Sequence, residues 1–202
     1  RVRSLLLTLV LSLLVGKSLG VSFTLDGITY VANADTAIIK GYDAIPENGE
    51  LALASTVSYG GKDYRVTTVQ NSAFLSCTEL KKLVVPSTIK YIREGAFENC
   101  VNMTQLVLSE GEERLDAAGD ALKNCGIEEV TIGRNLKEGI FCNSESLVTV
   151  KLAKHVTTIP SYAFSGCKKL SAINLANVKR IGESAFGGCA MLKEVNIEQV
   201  VE

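Results

Sequence analysis

The sequence lacks tryptophan and contains very little histidine or proline. Its 202 residues include one His and three Pro, and 21 Lys and Arg stand against 22 Asp and Glu. The balanced charge argues against nucleic-acid binding, because proteins that bind polyanions carry a basic surface. The apolar fraction of 47% and the charged fraction of 21% argue against a disordered chain. We therefore expect a folded protein that does not bind nucleic acid.

The sequence also lacks the motifs of metal sites and of common enzymes. The closest two of its six cysteines, Cys125 and Cys142, are 17 residues apart, whereas zinc sites need close pairs such as Cys-x-x-Cys. His155, the single imidazole, follows a predicted strand that ends at Leu152, which favours a loop residue over a catalytic base. No nucleophile elbow, phosphate-binding glycine loop or calcium loop occurs. We expect no enzyme activity, no cofactor and no metal.

One acidic segment leaves two interpretations open. Glu110, Glu112 and Glu113 lie close together, and Asp116 and Asp120 follow them. Such a run could bind a cation weakly, but a solvated loop is the more common role of clustered charge. We favour the loop.

The first twenty residues have the pattern of a secretory signal peptide. Arg1 and Arg3 precede an apolar run from Leu5 to Val15, and Ser18 and Gly20 place small residues before a cleavage site. A run of eleven residues, nine of them apolar, is too short to span a bilayer. We predict a signal peptide at 1–20, no membrane span, and a secreted or cell-surface location.

The rest of the chain is built from a repeat of about 23 residues. Six anchors recur 19 to 25 residues apart: Phe74, Phe97, Leu122, Phe141, Phe164 and Phe186. Alanine precedes five of the anchors, and a small residue follows each of them by three: Cys77, Cys100, Cys125, Ser144, Cys167 and Cys189. An apolar column lies five residues before the anchors at Val69, Ile92, Leu136, Ile159 and Ile181, and Leu115 joins it at a longer offset.

Each repeat closes with two apolar residues separated by one, as at Leu83 and Val85. This spacing is typical of a short strand with one buried face, while the three-residue steps before it suit turns or a 3₁₀ segment. A unit with one short strand cannot bury its apolar face alone, so the units must stack. The pattern predicts a solenoid with a single parallel β-sheet of short strands and with turns or short helical or 3₁₀ segments on the other face.

Two of these segments carry a resemblance to a known family. Residues 89–100, IKYIREGAFENC, and 178–189, VKRIGESAFGGC, each precede a leucine-type strand. They resemble the BspA-like (Treponema-type) leucine-rich repeat, and the resemblance extends from about Val66 to Ile197. The proline that commonly follows the strand in this family remains only as Pro86. The resemblance implies a leucine-rich repeat solenoid and an adhesive role at host or partner-cell surfaces, and it carries over no site residue.

Residues 21–65 are expected to form an N-terminal β-hairpin cap. Asp26-Gly27 and Gly60-Gly61 lie between alternating apolar residues, which is the strongest short signal of a hairpin. These segments are also similar to the leaders of secreted repeat proteins of this type from Bacteroidetes. The repeats fill 66–202, and no comparable cap follows Ile197. We therefore expect either that the native chain continues beyond Glu202 or that the last coil exposes an apolar face, and we favour continuation.

The six cysteines allow two states. Even counts in exported proteins often indicate disulfides. Five of the cysteines, however, occupy one inward column of the repeat, which favours buried free thiols. Cys142 lies outside the column and is expected to be exposed.

The remaining candidate for function is the outward face of the strands. It carries no aromatic residue and no field of one sign, so it identifies no ligand. We expect a monomeric secreted or cell-surface protein whose partner is a protein or a glycan, and the alternative is a structural spacer of a longer surface protein. The predicted interaction residues are Lys82, Val84, Gln105, Val107, Glu129, Thr131, Thr149, Lys151, Ala172, Asn174, Glu194 and Asn196.

Overall fold

A computed structural model describes residues 20–193. The predicted signal peptide other than Gly20, and the predicted interaction residues Glu194 and Asn196, lie outside the described residues. Within 20–193 the chain forms fifteen strands and no helix. The strands are β1 Val21–Leu25, β2 Ile28–Asn33, β3 Thr36–Tyr42, β4 Glu50–Ala52, β5 Thr56–Tyr59, β6 Lys62–Val69, β7 Lys82–Val85, β8 Tyr91–Ile92, β9 Gln105–Leu108, β10 Asp116–Ala117, β11 Glu129–Ile132, β12 Thr149–Leu152, β13 Thr158–Ile159, β14 Ala172–Ile173 and β15 Arg180–Ile181.

The strands form a parallel β-solenoid, which confirms the predicted leucine-rich repeat fold. The first sheet has the order β14-β12-β11-β9-β7-β4, and its strands are all parallel. The second sheet has the order β1-β2-β3-β6-β8-β10, with β5 also paired to β6. A third, two-stranded sheet pairs β13 with β15. We call each turn of the solenoid a coil and number coils 1 to 6 by their anchors, from Phe74 to Phe186.

The interior consists of the predicted repeat columns. In strands β7, β9 and β11 alternate residues are buried, as the two-residue period predicts. The anchors Phe74, Phe97, Phe141 and Phe164 are fully buried, and their rings stack where consecutive coils both supply phenylalanine: the centroids are 4.9 Å apart between Phe74 and Phe97 and 5.7 Å apart between Phe141 and Phe164. Consecutive coils therefore share one continuous apolar core.

Turns, rather than helical segments, connect the strands of each coil, and backbone hydrogen bonds run between the turns. The amide of Phe74 donates to the carbonyl of Ala96 at 2.7 Å, and the amide of Phe164 donates to Ala185 at 2.8 Å. The alanines before five of the anchors are buried where neighbouring coils are in contact, so a small side chain fits there; coil 4 has the buried Ile140 at this position. This contact explains the alanine column of the sequence.

The second sheet is a feature that the sequence analysis assigned to turns. The apolar column five residues before the anchors forms two-residue strands at Ile92, Ile159 and Ile181, and Thr68 and Val69 at the end of β6 pair with Tyr91 and Ile92. The solenoid therefore has ladders on two faces instead of the single sheet that was predicted. In coil 3 the column is divided, because Ala117 pairs with Ile92 whereas Leu115 forms a bridge to Leu136.

The N-terminal region contains the predicted hairpins. The Asp26-Gly27 turn joins β1 to β2, and the Gly60-Gly61 turn joins β5 to β6; both pairs are antiparallel. All four turn residues have positive φ, between 49° and 77°, as tight hairpin turns require. The region is also part of the solenoid, because β4 pairs with β7 in the first sheet and the Tyr42 ring stacks on Phe74 with centroids 5.3 Å apart.

Candidate interaction surface

The outward side chains of the first sheet form two rows across the strands. The register aligns one row of Glu50, Lys82, Gln105, Glu129, Thr149 and Ala172, and a second row of Ala52, Val84, Val107, Thr131 and Lys151. We call these two rows the outer face. Neighbouring strands in a sheet lie about 4.8 Å apart, so the rows present closely and regularly spaced side chains.

The structure places the predicted interaction residues of β7, β9, β11 and β12 together in these rows. Asn174 follows the end of β14 and is exposed. Glu50 and Ala52 were missed, because their segment belongs to the cap region and carries no repeat signature. The alternation of β4, in which only Leu51 is buried, was the one signal that could have identified them.

The charges of the outer face are paired with one another. The Nζ of Lys82 lies 3.4 Å from Oε2 of Glu50, and the Nζ of Lys151 lies 2.8 Å from Oε2 of Glu129. Exposed ion pairs of this kind contribute about 0–1 kcal/mol each to stability. Half-buried Val84 and Val107 lie side by side between the pairs. The surface is therefore electrically balanced, with a small apolar centre.

The cysteine column lies inside the solenoid. Cys77, Cys100 and Cys167 are buried, Cys125 and Cys189 are partly buried, and all five are free thiols in the structure. Cys142 is free and exposed. Burial raises the pKa of Cys77, Cys189 and Cys167, in the last case to about 12. These three thiols are therefore protonated and poor nucleophiles near neutral pH.

His155 and the acidic segment contact the neighbouring coils. A ring nitrogen of His155, Nε2, lies 2.8 Å from the carbonyl oxygen of Gly133. Glu113 pairs with Lys90 at 2.6 Å, and Asp116 pairs with Lys137 at 2.9 Å. The described residues 20–193 contain no group of three or more potential metal ligands. Two of the five acidic side chains, those of Glu113 and Asp116, thus form ion pairs with neighbouring coils.

Arg134 is a buried residue that the sequence analysis did not identify. Its side chain has no exposed surface, and its Nη1 donates to the carbonyls of Ser87 and Ile89 at 3.0 and 2.7 Å. Burial lowers the pKa of Arg134 to about 10. These hydrogen bonds fix the turn that follows β7, two coils earlier in the chain. An arginine directly after a strand does not by itself signal burial, because most arginines at such positions are solvated.

Comparison with known proteins identifies the repeat. The family described as "BspA type Leucine rich repeat region" matches residues 62–118 and 116–202, in six copies. The chain belongs to this family. Its members and their fold are in general binding or repeat scaffolds. No curated protein matches the chain by sequence.

Several solved structures share the fold. A leucine-rich repeat protein from Bacteroides ovatus is 24% identical, with a TM-score of 0.52 over 87% of this chain and 53% of that protein. A leucine-rich cell surface protein from Faecalibacterium prausnitzii is also 24% identical, with a TM-score of 0.50 over 87% of this chain and 54% of the other. The leucine-rich repeat protein of T. pallidum is 21% identical, with a TM-score of 0.57 over 85% and 91%.

This chain spans about half the length of the first two of these proteins. The likeness establishes the fold of the matched part. Within residues 20–193, no helix is long and apolar enough to cross a membrane.

Proposed function

We propose that the protein is exported and acts at or outside the cell surface as a non-enzymatic interaction module. The observation that carries this proposal is the outer face, where one row of outward side chains runs across six parallel strands and a second row runs across five of them. A rigid, regular sheet surface presents many side chains at fixed spacing. Less conformational entropy is therefore lost when a partner binds. The export signal predicted at 1–20 and the cell-surface description of the F. prausnitzii protein support the location.

The composition of the outer face favours a protein partner over a glycan. Its centre at Val84 and Val107 is apolar, and its charges are arranged as alternating pairs. Alternating charge around an apolar centre is typical of protein interfaces, in which charges determine specificity and association rate. The proposed role is adhesion of the bacterium to host or partner-cell proteins, with the chain itself monomeric.

A binding assay with charge-reversed variants tests this proposal. The folded protein is titrated over immobilised extracellular-matrix proteins and over bacterial surface extract, and saturable binding is expected. Lys82→Glu and Lys151→Glu each place like charges together, with Glu50 and Glu129 respectively, and should weaken binding severalfold. The matched control is Lys168→Glu, which breaks an exposed ion pair with Glu145 in the turns. Absence of saturable binding, or equal loss in all three variants, would refute the role of the outer face.

A structural spacer is the second candidate, and one observation favours it. The chain spans about half of the first two structural relatives, so the binding activity of the whole protein would lie in another segment. The complete reading frame tests this alternative. A recognisable binding or catalytic domain outside the repeats, together with no binding by the repeats alone, would favour the spacer.

A further inference from the structure

The backbone ladder of the second face is interrupted between coils 4 and 5. In five coils the residue four positions before the anchor donates its amide to the preceding coil or strand: Gln70 to Ile39, Arg93 to Val69, Ala118 to Ile92, Lys137 to Leu115 and Gly182 to Ile159, at 2.8 to 3.0 Å. In coil 5 this position is Pro160, which has no amide hydrogen. The hydrogen bond that would join coil 5 to coil 4 at this position therefore cannot form.

The consequence appears at Leu136 in coil 4. Leu136 forms a β-bridge with Leu115 of coil 3. The amide of Leu115 donates to the carbonyl of Asn135, and the amide of Lys137 donates to the carbonyl of Leu115. On the coil 5 side, neither the amide nor the carbonyl of Leu136 has a hydrogen-bond partner among residues 20–193. The sheet break between the second sheet and the β13–β15 pair lies at this point. Leu136 thus has the free donor and acceptor of a strand edge.

A cleft of about 530 Å³ lies at the break. Leu136, Ile159 and Ile181 supply its apolar part, and Arg114, Arg180 and Glu138 are its charged residues. Both arginines are exposed, and neither forms an ion pair with another residue of the described part of the chain. The pKa of Tyr162 is raised mainly by its hydrogen bond to Glu183, and the charge of Glu138 adds to the same shift. The cleft therefore carries a net positive charge beside the unpaired amide and carbonyl of Leu136.

We propose that this cleft binds an extended, acidic peptide segment of a partner protein. The peptide backbone would accept from the Leu136 amide and donate to the Leu136 carbonyl, as one residue of an added strand does. Side chains on one face of the peptide would contact the partly exposed Pro160 and Ile181, and carboxylates would pair with Arg114 and Arg180. A peptide backbone carries hydrogen-bond donors and acceptors at the spacing of the Leu136 amide and carbonyl. A sugar does not have this spacing, so we favour a peptide ligand.

This inference deepens the proposed protein-binding function and locates a peptide site away from the outer face. The two are tested separately. If the cleft does not bind peptide, the assay of the Lys82 and Lys151 variants still tests binding by the outer face. If the outer face does not bind a partner, the peptide titration still tests the cleft.

The test uses NMR chemical-shift titration of the ¹⁵N-labelled protein with three capped pentapeptides. The probe is Ac-Val-Asp-Val-Asp-Val-NH₂, the charge control replaces both Asp by Lys, and the backbone control carries an N-methyl group on the central Val. We expect the acidic probe to shift the amides of Leu136, Ser161 and Gly182. N-methylation should weaken binding by about threefold to tenfold, the effect of one lost hydrogen bond. The charge control should weaken it further, because it removes both ion pairs and places lysines beside Arg114 and Arg180.

Protein variants complete the test. Arg114→Gln and Arg180→Gln should weaken binding of the acidic probe, whereas Arg93→Gln, an exposed arginine of the intact ladder in coil 2, should not. Pro160→Gln restores an amide at the position that Gln70 holds in coil 1; it should protect the ladder amides from hydrogen exchange and reduce peptide binding. Circular dichroism checks that each variant is folded. Absence of binding at millimolar probe, equal binding by all three peptides, or shifts confined to the outer face would overturn the proposal.

Discussion

The thiol of Cys167 donates a hydrogen bond to the main-chain carbonyl of Phe141 in the preceding coil, with an Sγ to O distance of 3.1 Å. The same bond recurs from Cys100 to Phe74, from Cys125 to Phe97 and from Cys189 to Phe164, at 3.0 to 3.2 Å. Cysteine in this column is therefore both a small buried residue and a weak donor to the coil before it. The column connects successive coils without disulfides.

Thiol reactivity tests this arrangement. Burial raises the pKa of Cys167 to about 12, so its thiolate fraction at pH 8 is about 10⁻⁴ and its reaction with a disulfide reagent should be very slow. In the folded protein the exposed Cys142 should react rapidly, whereas the fully buried Cys77, Cys100 and Cys167 should not. After denaturation without reductant all six thiols should titrate. Fewer than six would indicate disulfides, and rapid reaction of the column in folded protein would contradict its burial.

The phenylalanine stack is expected to contribute strongly to stability. Phe164 is fully buried, and its ring stacks on Phe141 and Phe186. Phe164→Ala should lower the free energy of unfolding by about 3–5 kcal/mol, because it removes a large apolar side chain and leaves a cavity. Leu75→Ala, at an exposed site beside an anchor, should change it by about 0.5 kcal/mol or less. Urea denaturation measures both, and equal effects would contradict the assignment of the core.

Substitution of two glycines that share a φ value distinguishes the cost of backbone strain from the cost of a steric clash. Gly27 and Gly61 both have φ of 77°, but a Cβ at Gly27 would lie 2.5 Å from the carbonyl oxygen of Ala44, whereas a Cβ at Gly61 meets nothing within 4 Å. Gly61→Ala should cost about 1 kcal/mol from backbone strain alone. Gly27→Ala should cost more, because the turn must also move away from Ala44. Equal midpoints in urea would contradict the packing of this hairpin.

The ion pair between Lys90 and Glu113 predicts a pH dependence. Its hydrogen bond to Lys90 holds the pKa of Glu113 below the ordinary value of 4.5. Since the pKa is lower in the folded state, the pair stabilises the protein above the unfolded pKa, and this stabilisation is lost as the pH falls through the folded pKa. In Lys90→Gln, NMR titration of the Glu113 carboxyl carbon should give a pKa closer to 4.5. Lys151→Gln is the control and should leave it unchanged; an unchanged value in Lys90→Gln would contradict the pair.

The repeat columns predicted the solenoid because they specify burial directly. Spacings of five, three and two residues around Phe97 or Phe164 define which side chains face inward, and inward apolar side chains at a fixed period have only one way to be buried, which is by stacking. The hairpins at Asp26-Gly27 and Gly60-Gly61 could also be predicted from local sequence, because these turn residues favour the backbone conformation of a tight turn.

Other features depended on contacts that the repeat does not encode. The burial of Arg134 depends on two carbonyls in a turn 45 and 47 residues earlier. The pairing of β4 with β7 depends on how the cap folds back on coil 1. The interruption of the backbone ladder at Pro160 depends on the amide donors at the same position in the other coils, and the sequence does not show those hydrogen bonds. The two-residue period predicted which side chains of β7, β9 and β11 face outward. That these side chains bind a partner stays a prediction, because a ligand depends on surface chemistry that the fold does not determine.

The register of the first sheet is the central claim, and interstrand nuclear Overhauser effects test it most directly. Val130 of β11 is aligned with Leu106 of β9 on one side and with Val150 of β12 on the other. Amide-to-α-proton effects are expected between these strands in that parallel register. Effects in a register shifted by one or more residues, or no effects between strands of neighbouring coils, would contradict the stacked solenoid.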